Sequence, residues 1–441
     1  MLSAAALLVG LPAPAPAQLA ATPVQTEWHR YHRDLAHSGY SPTTPPVGRL
    51  SKAWSATLDA PVYASPLVAR GVVVVATERN SLFGFSRQGR LLWRHRDLPP
   101  VRRAQLPCGN VDPLGITGTP VYDPGSKRVY AVVTTVYGGR VRHFLTGVDP
   151  LNGKVTYRRS VDPRGQDPTV ENQRGALTVT RGRVLVTYGG HYGDCGAFHG
   201  YVVSVPLGAG RVTTYRTGTR GEAGMWQPSG PTVGPDTSVY VVTGNGRATS
   251  GAWDGGNAVH RISPVQASRR YSFFAPADWA LGNRLDADLG SSGATLIGNR
   301  IWIQGKTATG YLLDKMNLGG VGHPLATVRG ACAQQFGGTA VHGASAYLPC
   351  TDGVRKITVS GNRVAFGWKA GRKVVGSPVV GGGVVWTLDP GAGVLYALAE
   401  SNGAVRQAFR VGPTSRFATP ALSGGLVLVG TLRGIYAVKG A

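Results

Sequence analysis

The sequence predicts an all-β protein: an eight-bladed β-propeller of four-stranded antiparallel blades, with the ring closed by an N-terminal strand. Three observations carry that prediction. One strand–turn plan recurs eight times. The eighth copy stops one strand short, and a spare strand stands ahead of the first copy. The composition of the 441 residues favours turns over helices, with 64 Gly, 30 Pro, 3 Met and 22 Asp plus Glu.

The plan is clearest in its first copy. Tyr63-Ala64-Ser65-Pro66-Leu67-Val68 opens a strand, and a turn at Gly71 leads to the Val-rich run Val72–Ala76. Ser81–Phe85 follows, then a turn with Gly89 and an aromatic at Trp93. Later copies open at Thr119-Pro120, Gly175-Ala176, Gly230-Pro231, Gly293-Ala294, Gly338-Thr339, Ser377-Pro378 and Thr419-Pro420. The last copy ends at its third strand. Residues 50–58, which include Trp54, are expected to supply the fourth and so remove an exposed edge. Trp54, Trp93, Tyr157, Tyr215, Phe273, Trp368 and Phe409 recur once per unit, and are expected to pack neighbouring blades together.

Domain organisation follows from this. Residues 1–17 carry a short apolar run and Ala15-Pro16-Ala17, a pattern expected of a signal peptide, although no basic segment precedes it. Residues 18–48 form an N-terminal leader and residues 49–441 the propeller. No run of 18 uninterrupted apolar residues exists, so no transmembrane segment is expected. Most of the ten His are expected at the surface or in turns. Export favours disulfides among Cys108, Cys195, Cys332 and Cys350, with three connectivities open. Closeness in sequence favours Cys332 with Cys350, which leaves Cys108 with Cys195. Zinc is less favoured, because no CxxC or HxH spacing occurs.

The net charge is +24. Arg is scattered rather than gathered in runs of five or six, so nucleic acid is not expected as a partner. A protein or an anionic polymer is, and a monomer is expected. Walker A, GxSxG, HExxH and C-x-x-C-H motifs are all absent from the sequence.

The repeats resemble the pyrroloquinoline-quinone (PQQ)-like repeat of the quinoprotein alcohol dehydrogenase-like superfamily. Val148-Asp149-Pro150-Leu151-Asn152-Gly153-Lys154 is the best copy, and the tract from Trp28 to Tyr40 is similar to the leader found there. Polyvinyl-alcohol dehydrogenase-like and BamB-like branches are the nearest. In the dehydrogenases a quinone lies on the axis, Ca²⁺ polarises its carbonyl, a carboxylate takes the alcohol proton and a basic side chain orients the quinone.

The resemblance therefore implies site residues. Asn245, in Thr243-Gly244-Asn245, corresponds to a Ca²⁺ ligand. Asp286 and Asp288 correspond to the catalytic acidic stretch. Lys306 corresponds to the basic residue, and Trp226 is the candidate to stack on the quinone. Each also has an ordinary reading: a turn, carboxylates bonding backbone amides at a strand start, a solvated lysine. The sequence departs from the family where a Glu should be the second Ca²⁺ ligand. There Gly189–Tyr201 offers only Asp194. The vicinal Cys-Cys pair is missing as well. The expectation is a secreted binding or scaffold propeller with a degraded quinone site, and no cofactor is certain. One alternative is a PQQ- and Ca²⁺-dependent alcohol dehydrogenase of the polyvinyl-alcohol type. That alternative requires Asn245, an acid and Lys306 to converge on the axis. Another is a binder of anionic cell-wall polymer or glycan.

Overall fold

The computed structural model describes residues 26–217, 220–371 and 376–440. Eight antiparallel sheets follow one another along the chain, each with a four-stranded core. The blades cover residues 67–96, 121–160, 178–216, 232–275, 295–329, 340–369 and 379–410, and the eighth joins 421–439 to the strand Ser51–Thr57. Ser51–Thr57 pairs antiparallel with Gly434–Lys439 over six residue pairs, so the two ends of the chain close the ring as the repeat predicts. The one α-helix among the described residues is Trp279–Arg284.

The core is distributed as layers between blades. The second strand of the first blade, Val72–Ala76, is buried at every position, and Val72 and Val74 pack with Val129, Ala131 and Val133 of the next blade. Similar layers recur around the ring. A sheet buried on both faces needs β-branched side chains at successive positions, which explains the unalternated Val runs.

Three of the recurring outer aromatics, the tryptophans, fasten their blade to the next, whereas Phe273 stacks on Trp253 of its own blade. Trp54 Nε1 donates to Arg87 O at 2.8 Å, Trp93 Nε1 to Pro150 O at 2.8 Å and Trp368 Nε1 to Glu400 O at 3.0 Å. The glycine of each receiving turn lies under the indole. A methyl group on Gly153 would stand 2.4 Å from the Trp93 ring, and φ there is +71°. Only glycine meets both demands. The Gly of Asn152-Gly153-Lys154 is thus a docking surface for the preceding blade.

The leader does more than precede the first blade. It crosses one end of the axis and hydrogen-bonds to the opening strands of several blades. Val68 and Trp28 exchange backbone hydrogen bonds. Tyr122 N–H donates to His29 O, Val233 N–H to Leu35 O, Val341 N–H to Ser38 O and Val380 N–H to Gly39 O. Tyr40–Ser41 adds a parallel strand beside Val379–Gly381. Trp28, Tyr31 and His32 are consequently fully or almost fully buried.

This burial corrects the expectation for histidine. His32, His37, His143, His191, His199 and His260 are buried against the axis or between blades, where a neutral imidazole can be accommodated. The expected signal peptide, residues 1–17, lies outside the described residues. No helix among the described residues is long and apolar enough to cross a membrane.

Candidate functional site

The axis holds a cavity of about 800 Å³. Its wall is built from two kinds of segment. The first is the short stretch just before the opening strand of seven of the blades, which contributes Tyr63, Thr117, Arg174, Pro228, Ser291, Phe336 and Arg416. The second is the loop after a second strand, which contributes His191–Asp194 and Lys306. Tyr31 reaches in from the leader, and its hydroxyl lies 3.3 Å from Thr419 Oγ1.

Two disulfides are present. Cys108–Cys195 ties the loop carrying Asn110 to the loop carrying Asp194, so it braces two cavity-lining segments 87 residues apart in sequence. Cys332–Cys350 clips the fifth blade to the sixth.

The structure brings most of the sequence candidates together. Lys306 Nζ lies 2.6 Å from Asp286 Oδ1 and 2.6 Å from Asp288 Oδ2. Asn245 Nδ2 donates to the same Asp286 oxygen at 2.7 Å. Asn245, Asp286, Asp288 and Lys306 therefore form one connected group. Lys306 is an ion-pair partner here, in place of the solvated loop charge that was its ordinary reading. Asp288 is fully buried, and its carboxylate pairs with Lys306 rather than with backbone amides. The Trp226 indole N–H also bonds the Asp288 carboxylate, and Asn245 Oδ1 has no hydrogen-bond partner among the described residues.

Burial raises the Asp288 carboxyl above its ordinary range, against the opposing pull of Lys306. Burial alone would lower the Lys306 ammonium, but Asp288 and Asp286 outweigh it and hold its pKa above the usual value. Asp194 stands at the mouth, outside this group, with φ of +47°. Burial first, then the charge of Asp286, raises its carboxyl.

Trp226 lines the cavity on a bed of glycine. A methyl group on Gly244 would stand 2.0 Å from its ring, and one on Gly224 2.3 Å. The guanidinium carbon of Arg174 stands over this ring, 5.4 Å from its centroid. Arg174 has no hydrogen bond or ion pair to another described residue, and burial lowers its pKa against the opposing charges of Asp194 and Asp288.

Sequence reasoning missed Arg174, Arg416, Phe336 and His191. The guanidinium of Arg416 lies 3.7 Å from the centroid of Phe336, and it also has no hydrogen bond or ion pair among the described residues. Burial lowers the His191 imidazole to about 4, and its Nε2 lacks a partner. The signal that finds Arg174, Phe336 and Arg416 is positional, since each stands one to three residues before a blade opening.

The family model for the outer membrane protein assembly factor BamB matches residues 51–254. Solved structures align across nearly the whole chain. A quinohemoprotein alcohol dehydrogenase from Comamonas testosteroni is 14% identical, with 94% of this chain and 80% of that chain covered and a TM-score of 0.68. A europium-containing methanol dehydrogenase is also 14% identical, with 94% and 98% covered and a TM-score of 0.71. BamB from Moraxella catarrhalis is 12% identical, with 89% and 97% covered and a TM-score of 0.58. This chain is a β-propeller of the PQQ-like type. No curated protein matches it. At these identities the PQQ-like likeness extends to the fold, and the chemistry rests on the side chains of the cavity.

Proposed function

We propose that this PQQ-like propeller is an extracytoplasmic binding or scaffold protein that recognises its ligand at the axial cavity and has lost quinone chemistry. The observation that carries this reading is Arg174 over Trp226. Stacked atoms need about 3.5 Å on each side of an inserted ring. A quinone between indole and guanidinium would thus need about 7 Å, and the separation is 5.4 Å. The stacking face is filled by a side chain of the protein itself.

The residues do not fit Ca²⁺ well either. The ion takes six to eight oxygen ligands. Here the Lys306 ammonium is within 2.6 Å of both carboxylates, where a divalent cation would meet repulsion. Asn245 Oδ1 is a buried oxygen of the group without a partner among the described residues. Two disulfides and the expected signal peptide support an extracytoplasmic setting.

One observation favours the dehydrogenase reading instead: Asn245, Asp286 and Lys306 do converge, as that reading requires. Purified protein incubated with PQQ and Ca²⁺ and supplied with a redox dye and a primary alcohol separates the two. The binding reading expects no dye reduction and no rise in melting temperature. Alcohol-dependent reduction that disappears in Asp286→Asn would establish the dehydrogenase.

A further inference from the structure

We infer that a crevice on the rim, between the third and fourth blades, binds a uronate residue of an acidic polysaccharide, with Trp253 as its stacking face and Arg216 and Arg270 as its anion clamp. The crevice has a volume of about 440 Å³. It shares no lining residue with the axial cavity, so it does not depend on the function proposed there.

The crevice exists because the usual clasp is missing from this seam. At three other seams an outer tryptophan docks on a turn of the next blade. The third blade has Tyr215 at that place, and its hydroxyl donates to His260 Nδ1 at 3.0 Å, on a strand of the fourth blade rather than on a turn. The turn instead receives Ser204 Oγ, which donates to Pro264 O at 2.6 Å, and Thr213 Oγ1, which donates to Val265 O at 3.0 Å. Residues 243–258 stand where the first blade has only residues 77–80, and they carry Trp253 to the opened seam.

Trp253 is fixed before any ligand arrives. Its Nε1 donates to Gly256 O at 2.7 Å, and the Asp254 carboxylate accepts from Ala248 N–H and Gly256 N–H. Its ring lies parallel to Phe273, with centroids 4.2 Å apart, and extends toward His260. Phe273 and His260 are cross-strand partners, so both cover the same face of the indole. The half-buried ring turns its other face to the crevice. A bulge at Tyr271 brings Arg270 onto the side of the sheet that carries Phe273. The Arg270 guanidinium carbon lies 4.6 Å from the Phe273 centroid and 5.5 Å from that of Trp253. Over the free face of the indole it would be about 7 Å from Phe273, two stacking layers away. It therefore flanks the indole and leaves that face open.

Arg216 and Arg270 are exposed, and their hydrogen bonds go to neutral groups. Arg216 Nη2 donates to His199 Nε2 at 2.6 Å, and Arg270 bonds the Tyr215 hydroxyl. The acid whose charge meets Arg216 is Glu171, which burial raises to about 8 and so keeps largely protonated at neutral pH. Asp254, the acid of the lining, is taken up by backbone amides. Two guanidinium forks beside a single open indole suit a sugar acid, whose C–H face stacks while its carboxylate accepts from the forks. The net charge of +24 favours the same class of polymer.

The test is titration calorimetry of the whole protein with tetragalacturonate, uncharged maltotetraose and a short oligothymidylate. Tetragalacturonate should bind most tightly. Arg270→Gln and Arg216→Gln should each weaken it about tenfold, the loss of one charge-assisted hydrogen bond. Trp253→Ala should weaken it about fivefold, and Trp253→Phe should restore most of that loss. Arg90→Gln, an exposed turn residue, should leave affinity unchanged and controls for net charge. Indole fluorescence places the ligand: tetragalacturonate should alter the emission of the parent, and Trp253→Phe should bind without that change. Unchanged affinity in both crevice arginine variants, equal loss in Arg90→Gln, an emission change that survives in Trp253→Phe, or no binding would overturn the inference. Equal binding of maltotetraose would overturn the acidic specificity. Tighter binding of oligothymidylate, lost in the same variants, would assign the crevice to nucleic acid instead.

Discussion

Replacing Lys306 with Met tests whether the acid–base group is one coupled unit. Lys306 serves two carboxylates at equal distance, 2.6 Å, but they differ in exposure: the Asp286 side chain is 71% exposed and that of Asp288 is 0%. Water can replace the ammonium at Asp286, so its share of the loss is that of a surface pair, about 0–1 kcal/mol. Asp288 is out of reach of water, and losing the ammonium favours its protonated form. Burial already raises its carboxyl with Lys306 in place, so the variant raises it further. The unfolded chain releases that proton near pH 4. Over the range where the native state keeps it, stability falls with rising pH by about 1.4 kcal/mol per unit. The accumulated cost should approach the roughly 3–5 kcal/mol expected for breaking a buried pair. Urea unfolding of the parent, Lys306→Met and Lys306→Met/Asp288→Asn at pH 4.5 and 8 reads this directly. Lys306→Met should lie close to the parent at pH 4.5 and far below it at pH 8, and the second substitution should recover most of the difference. An equal deficit at both pH values, or no recovery in the double variant, would refute the coupling.

Two buried carboxyls give the fold a further pH dependence. Burial raises Glu78 to about 7 and Glu171 to about 8, despite hydrogen bonds from Gly115 N–H and His199 N–H respectively. Native protons are held that the unfolded chain gives up near pH 4.3, so melting temperature should fall as pH rises from 5 to 8 and level off above. Glu171→Gln should flatten that slope, and a slope identical to the parent's would exclude Glu171 as its source. Cys108→Ser/Cys195→Ser should cost about 4–5 kcal/mol and Cys332→Ser/Cys350→Ser about 3 kcal/mol, because the first pair closes the longer loop. Urea midpoints in the reverse order would contradict this. Trp54→Ala should lose about 3–5 kcal/mol of stability. It should also promote association through the loosened edge at Gly434–Lys439, visible as a concentration-dependent shift in size-exclusion chromatography.

Much of the architecture could be read because it is repeated. A docking pair of one Trp and one turn Gly recurs as Trp54 over Gly89, Trp93 over Gly153 and Trp368 over Gly403, and a short final blade calls for Ser51–Thr57. Asn245, Asp286, Asp288 and Lys306 could be found because their stretches resemble those of the quinoprotein dehydrogenases and occur in the same order along the chain. The leader could not be read in the same way. Its tract His29-Arg30-Tyr31-His32-Arg33-Asp34 has the composition of a solvated loop, yet His32 is fully buried and its imidazole is lowered to about 4. It docks through backbone hydrogen bonds to several blades, and these leave no periodic pattern. Arg174 was missed for a different reason. One arginine among many carries no signal of its own, and its meaning comes from standing immediately before Gly175, where a blade turns in from the axis.

The two halves of the site point in different directions, and energetics explains why both matter. A buried cluster such as Asp288–Lys306–Asp286 is rarely more stable than apolar residues of the same volume. The Val and Trp layers between blades supply apolar burial without it. Its retention therefore points to a positional role. It fixes the Asn245 amide through Asp286 and leaves Asn245 Oδ1 without a partner. Beside it, Arg174 covers the ring on which a flat cofactor would rest. One substitution immediately before a blade's opening strand can thus close a stacking slot while leaving the acid–base group intact. The proposed loss of redox chemistry would in this way leave a polar axial cup lined by Arg174 and Lys306.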